Sequence, residues 1–346
     1  MRKIKWGVIG AGGIADRRTL PGMMLADNCE LIGVMEVNPD LSQKLAEKYG
    51  AKYAYTSAEE LLDNEEIEAV YIASPVAFHK TQVMAAAQCG KHVLCEKPIA
   101  ITLDDSKEAY DACCQSRVLS AAGFMMRYHS LHKKMKELVA KDKLGQIVSC
   151  RLQMSCWFPF IEGNWRQQRK NTGGGALMDM GIHCIDLAEY ILDDEVCAVS
   201  AFCDTKTFAY DIDDSANVML KTKKGSTIYI DVNYNIPDDA VKSRIEIFGT
   251  KGSAVAEGTV GQTDTGVLRC VFADQEEYVA QQERTLATTV VFEAENANLY
   301  TKELASFANS IANGTQAEVS MLTAIRAQQI VEAAYEASES GKTIHL

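Results

Sequence analysis

The first third of the chain alternates short apolar runs with stretches of helical period. Residues 4–9, 29–35, 69–73, 92–95 and 118–124 read as buried strands. Between them, Asn38 caps a helix that runs through Tyr49 and is stopped by Gly50, and Ser57 starts another in the sequence SAEE. Residues 79–88 form a helix ended by Gly90, and Thr102 with Asp105 opens a further one. Strands that recur with intervening helices predict an α/β layer, a parallel sheet whose strand C-termini carry a ligand.

Downstream of Phe124 the period changes. A helix over 130–141 leads into longer strands, clearest at 147–154, 199–204, 216–222, 226–233 and 242–248. Ile228, Ile230, Val232 and Tyr234 alternate with Thr227, Tyr229, Asp231 and Asn233, giving one apolar face and one mixed face. A large sheet with helices on one side only leaves a face for self-association. Helices over 298–311 and 323–338 are expected to return toward the first domain. The change of period divides the chain into domains 1–123 and 124–346.

One helical stretch carries chemistry. Residues 173–190 read GGGALMDMGIHCIDLAEY, in which Leu177, Met180, Cys184, Leu187, Ala188 and the following Ile191 form an apolar stripe. Asp179, His183 and Asp186 stand at i, i+4 and i+7, on one side of the same helix. A carboxylate one turn from an imidazole fixes its tautomer and stabilises its protonated form, which prepares a general base. The plainer alternative is a core histidine satisfied by Asp179 or Asp186.

Composition narrows the class. The chain has 346 residues and a net charge of −12, which argues against nucleic acid and anionic membranes as partners. Eleven cysteines include no CxxC pair, and His129-x-x-His132 lacks further ligands, so no metal is expected. The opening MRKIKWGVIG lacks the apolar run of a signal peptide, and no stretch reaches membrane-spanning length. A cytoplasmic protein with reduced thiols is the expectation.

The first strand runs directly into Gly10-Ala11-Gly12-Gly13-Ile14-Ala15, a GxGxxA turn between strand and helix. Gly10 permits the tight turn, Gly12 admits a pyrophosphate, and Ala15 keeps helix and strand close. Glu36 ends the second strand, 21 residues past Ala15, where a ribose 2′-hydroxyl would be held. That acid repels a 2′-phosphate and Val37-Asn38-Pro39 supplies no arginine, so NAD is preferred over NADP. Glu96-Lys97-Pro98 follows the 92–95 strand, bringing Lys97 out at the ligand-binding edge. There it either meets a reacting oxygen or pairs with Glu96 at the surface.

The glycine turn, the segment HVLCEKP and the segment GGGALMDMGIHCID together resemble the Gfo/Idh/MocA family, named for glucose–fructose oxidoreductase and inositol dehydrogenase. The similarity runs nearly end to end and includes GFMMRYHSL from Gly123, Asn164-Trp165-Arg166, and the closing SESGKTIHL. It implies an N-terminal Rossmann domain and a C-terminal α+β domain with a large, mostly antiparallel, open-faced sheet, through which such proteins pair into homo-oligomers, dimers or tetramers, a number the sequence itself leaves open. By resemblance Lys97, Asp179 and His183 are catalytic. The same resemblance implies that Gly10, Gly12, Gly13, Ile14, Glu36, Ser74, Pro75, His79, Glu96, Lys97 and Arg166 contact the dinucleotide and that the Lys97–Pro98 bond is cis. Val76 departs from the asparagine common after the Ser/Thr-Pro pair. Met125-Met126 replaces a more polar stretch before Arg127 and Tyr128, which implies a less polar substrate pocket.

Trp157-Phe158-Pro159-Phe160 and Trp165 lie between a strand and the 173–190 helix. Aromatic faces stack on sugar rings, and such a loop either lines a pocket or plugs an interface. Arg127, Tyr128, Trp157 and Trp165, with Lys97, Asp179 and His183, are the expected substrate contacts. The activity expected is NAD-dependent transfer of hydride from a secondary hydroxyl of a sugar, cyclitol or glycoside, with an aryl glycoside weakly favoured. Two other classes stay open: glycoside cleavage through transient oxidation on bound NAD, and dinucleotide sensing without turnover.

Overall fold

The computed structural model describes residues 2–241, 243–273 and 287–346. The chain forms two compact units. The first takes Met1–Met125, Gly163–Gly173 and Ala297–Gln328; the second takes Met126–Glu162, Gly174–Asn296 and Gln329–Leu346. The chain therefore crosses between units several times, and Trp165 and Arg166 belong to the first.

In the first unit, β1 (Ile4–Ile9), β2 (Cys29–Met35), β3 (Tyr53–Tyr55), β4 (Ala69–Ile72), β5 (His92–Glu96) and β6 (Ser120–Gly123) form a parallel sheet in the order β3-β2-β1-β4-β5-β6. The strand order reverses beside β1, so the turns after β1 and β4 face each other at the strand C-termini, the place where such sheets bind ligands. Helix starts follow the chemistry of their caps: Asn38 Oδ1 accepts from Leu41 N at 3.0 Å, and Ser57 Oγ from Glu60 N at 3.2 Å. Each such cap contributes about 1 kcal/mol. Trp6, Val8, Tyr71 and Leu94 are fully buried or nearly so, and helix Leu299–Asn313 closes their core with Leu304 and Phe307.

The second unit is built on nine strands. These are β7 (Ile147–Ser155), β8 (Val196–Asp204), β9 (Ser215–Thr222), β10 (Thr227–Asn233), β11 (Arg244–Gly249), β12 (Gly252–Glu257), β13 (Val267–Phe272), β14 (Thr288–Glu293) and β15 (Ile344–His345). Their order is β14-β13-β12-β11-β7-β10-β9-β8-β15, antiparallel throughout except for the β7–β10 pair. The period-2 pattern places Ile228, Ile230 and Val232 of β10 inward, under helix Ile182–Leu192. Tyr229 points outward beside Met219, and Phe202, Phe248, Val267 and Val291 are exposed on the same face, set among charged side chains such as Arg151, Asp231 and Glu246. A hollow of ≈ 570 Å³ on this face is lined by Phe202, Met219, Tyr229, Arg151 and Asp231.

The strand expected from residue 242 is described from Arg244, and Lys242 lies outside the described residues. Strands β3, β12, β13, β14 and β15 were not legible. GSAVAE and TTVVFE are small or polar enough to blur the alternation, and neighbouring strands supply the pairing that local pattern does not.

Candidate active site

At the first unit's ligand edge, Gly10 takes φ 78° and starts a wide, π-type turn over Ala11–Thr19, interrupted at Gly13. A side chain at Gly10 would meet Ser74 N at 2.5 Å, so the turn after β1 lies hard against the turn after β4. Glu36 reaches back into the same turn. Its Oε2 accepts from Gly12 N at 2.9 Å and its Oε1 from Val37 N at 3.0 Å. A Cβ at Gly12 would fall 2.7 Å from that carboxylate, so glycine is what allows the approach. This cradle fits a dinucleotide: backbone N–H groups for an anion, and beside them an acid that accepts from a ribose hydroxyl.

Behind the turn after β5, Glu96 accepts a hydrogen bond from the Tyr71 hydroxyl. Burial pushes the Glu96 carboxyl above its usual value, against the pull of Tyr71, Lys97 and Arg166. Lys97 is half-buried, and the Lys97–Pro98 bond is cis. His79 is 1% exposed, with Nδ1 2.8 Å from Pro98 O and Nε2 2.8 Å from Ser74 O. Each ring nitrogen thus lies against a backbone carbonyl, and the neutral ring that burial favours donates to one of the two. His79 ties the turn after β4 to the Lys97–Pro98 turn rather than presenting a nitrogen to a ligand. Ser74 Oγ is held by Gln82 at 2.5 Å. Arg166 stacks over Trp165, 5.0 Å from its ring centre, and its backbone N donates to Asn164 Oδ1 at 3.0 Å.

In the second unit the helix of Asp179 and His183 begins with a π-type turn over Leu177–Gly181 and continues as an α-helix over Ile182–Leu192. Wide turns of this kind recur at functional sites. Asp179 is exposed, and its Oδ2 accepts from the Tyr234 hydroxyl at 2.7 Å; Tyr234 is 4% exposed and His183 5%. Burial first, then Asp179, drives the Tyr234 hydroxyl well above its usual pKa, so it stays a donor.

Asp186 does not join this pair. It is paired with Arg127, which approaches both carboxylate oxygens at 2.6–3.1 Å and stacks 4.7 Å over Tyr190. The Arg127 guanidinium is committed to this buried pair, and Tyr128 is 3% exposed with Lys133 over its ring. Trp157 is 46% exposed and meets Phe208 edge-on at 5.1 Å, while Phe158 packs on Tyr234 at 5.0 Å.

His129 and His132 stack at 4.7 Å, each ring satisfied by protein groups. Among the described residues no cluster of His, Cys, Asp and Glu is arranged to hold a metal ion, and no helix is long and apolar enough to cross a membrane. Sequence reasoning missed Tyr234 as a site residue. Its signal was its place on the inward face of the alternating 226–234 strand, one position beyond Asn233.

Comparison with known proteins identifies the family of the two units. Residues 4–124 match an oxidoreductase family with an NAD-binding Rossmann fold, and residues 132–255 match the GFO/IDH/MocA C-terminal domain. The myo-inositol 2-dehydrogenase of Thermotoga maritima is 31% identical over 266 residues, 75% of this chain and 78% of its own. The D-xylose 1-dehydrogenase (NADP(+)) 2 of Haloferax volcanii is 27% identical over 344 residues, 99% of each chain. The solved aldose-aldose oxidoreductase from Caulobacter crescentus, complexed with glycerol, superposes with a TM-score of 0.89 at 24% identity over 100% of both chains. At that identity the likeness is one of fold.

Proposed function

Because the chain belongs to the Gfo/Idh/MocA family of oxidoreductases, we propose that it oxidises a secondary hydroxyl of a sugar, cyclitol or glycoside with NAD. The observation that carries the reading is Asp179, fixed by Tyr234 one helical turn before His183. His183 takes the hydroxyl proton, Asp179 stabilises the resulting imidazolium, and Lys97 hydrogen-bonds the same oxygen as charge develops on it. Bound NAD supplies the hydride acceptor. The engagement of Gly12 N by Glu36 supports NAD over NADP, since a 2′-phosphate would meet that carboxylate.

The test is a panel of myo-inositol, D-xylose and phenyl β-D-glucoside with NAD, following NADH fluorescence and ketone product together. His183→Ala and Lys97→Ala are expected to lose about 10²–10⁴-fold in turnover while NADH still binds. Normal turnover in both variants would overturn the assignment. Stoichiometric NADH identifies a dehydrogenase, whereas aglycone release without NADH would replace that reading by transient-oxidation cleavage. Half-exposed Trp157, seated against Phe208, supports a substrate carrying an apolar substituent.

The exposed apolar residues on one face of the nine-stranded sheet, Phe202, Met219 and Tyr229 among them, support self-association through that face. Light scattering on the wild type and on Phe202→Lys would register the loss of a homo-oligomer.

A further inference from the structure

The helix that bears Asp179 and His183 starts after three glycines and an alanine, none of which offers a side-chain oxygen to its first N–H groups. The acceptor comes from far along the chain. Asp213 Oδ1 takes Gly175 N at 2.7 Å, Asp213 Oδ2 takes Leu177 N at 2.8 Å, and Asp213 O takes Ala176 N at 2.9 Å. Three consecutive N–H groups thus end on one residue. The Tyr335 hydroxyl donates to Asp213 Oδ1 at 2.7 Å and holds the carboxylate from behind. Space for this exists only because two of the glycines lack side chains. A Cβ at Gly175 would lie 2.0 Å from Asp213 O, and one at Gly174 would lie 2.1 Å from the Tyr335 hydroxyl.

The next residue completes the arrangement. Asp214 O accepts from Tyr234 N at 2.7 Å, and the hydroxyl of that same Tyr234 donates to Asp179. Asp214 is itself fixed: its carboxylate accepts from the backbone N–H groups of Lys206, Thr207 and Phe208. One dipeptide therefore fixes both partners of the Asp179–Tyr234 bond. Asp213 holds the helix start beneath Asp179, and Asp214 holds the strand end beneath Tyr234.

We propose that Asp213, held by Tyr335, is a positioning residue that caps the Asp179–His183 helix across the fold and sets where Asp179 stands relative to His183. A negative charge at a helix N-terminus is favoured by the helix dipole, and three convergent donors leave it little freedom. Asp213 touches neither substrate nor cofactor in this role and acts through Asp179. The proposal rests on the reading of His183 as the base.

It is tested without a substrate. In protein carrying ring-¹³C histidine, the six histidines give separate signals, and His183→Gln assigns the one of interest. A carboxylate one helical turn from an imidazole favours its charged form, so Asp179→Asn is expected to lower the titration midpoint of His183. Tyr335→Phe and Asp213→Asn should lower it in the same direction, by about half a pH unit or more, without moving the His79 or His132 signals. NADH affinity and the cooperativity of unfolding of Tyr335→Phe should match the wild type. If Asp213→Asn fails to fold, Tyr335→Phe, which deletes only a hydroxyl, still decides the matter. A His183 titration superimposable on the wild type in a folded Tyr335→Phe variant overturns the positioning role, whatever His183→Ala does to turnover. The two readings therefore fail separately.

Discussion

Tyr234 and Asp179 are joined by a hydrogen bond of 2.7 Å between a buried phenol and an exposed carboxylate one turn before His183. A hydrogen bond to a charged group is worth about 1.5–3 kcal/mol. Tyr234→Phe keeps the ring packing on Phe158 and removes only the donor. Turnover should fall roughly 10- to 100-fold, with NADH affinity unchanged. Steady-state kinetics beside a fluorescence titration checks both halves.

Glu36 lays its carboxylate into the glycine turn, and the proposed preference for NAD rests on it. Glu36→Ser should weaken NADH by about tenfold, the loss of one charged hydrogen bond. The same change should strengthen NADPH binding by removing the repulsion. Parallel titrations with the two nucleotides measure the ratio, and a ratio equal to that of the wild type would remove Glu36 from the selection.

His132 gives the fold an acid-sensitive point. Burial, and then neighbouring His129, lowers its pKa to about 3, and its Nδ1 donates to Met126 O at 2.8 Å. The unfolded ring titrates at 6.5, so between pH 6.5 and 3 the unfolded chain holds a proton that the folded one refuses. Stability from this group therefore falls as pH drops through that window, by about 2 kcal/mol from pH 7 to pH 5. Urea unfolding at the two pH values should show the loss in the wild type and a shallower one in His132→Gln.

Glu303 acts in the opposite sense. It is 1% exposed, and neither carboxylate oxygen has a hydrogen-bond partner among the described residues. Burial, then the charge of Glu96, raises its pKa well above 4.5. The unfolded group ionises first, so stability is fully present below pH 4.5 and is lost progressively as pH rises toward the folded value. Glu303→Met should stabilise the protein at pH 8 by about 1–4 kcal/mol and by much less at pH 4. Chemical denaturation at both pH values decides it.

Much of the first unit was legible because its signals are local. The strand of Ile4–Ile9, the GxGxxA turn, Glu36 at the end of β2 and the Asn38 and Ser57 caps each involve residues close in sequence, where the backbone alone dictates the outcome. The helix of residues 173–190 was legible for the same reason, as was the one-turn spacing of Asp179 and His183. The partner of Asp186 was not. Periodicity put Asp186 beside His183, yet Arg127, 59 residues away, claims its carboxylate.

What the chain determines by itself is periodicity, capping and the order of its elements, since these depend on propensities within a few residues. Tertiary structure decided which distant donors meet which acceptors. The parallel pairing of β10 with β7, and the β9–β10 register that sets Asn233 opposite Ser215, bring Tyr234 to Asp214. A strand's alternation shows which face is buried but not which strand lies beside it. A helix that begins in glycines shows that its cap is missing but not that Asp213 will supply it. Such pairings are fixed only when the sheet closes on its helices, because an unsatisfied buried N–H or carboxylate costs more than any local preference can offset.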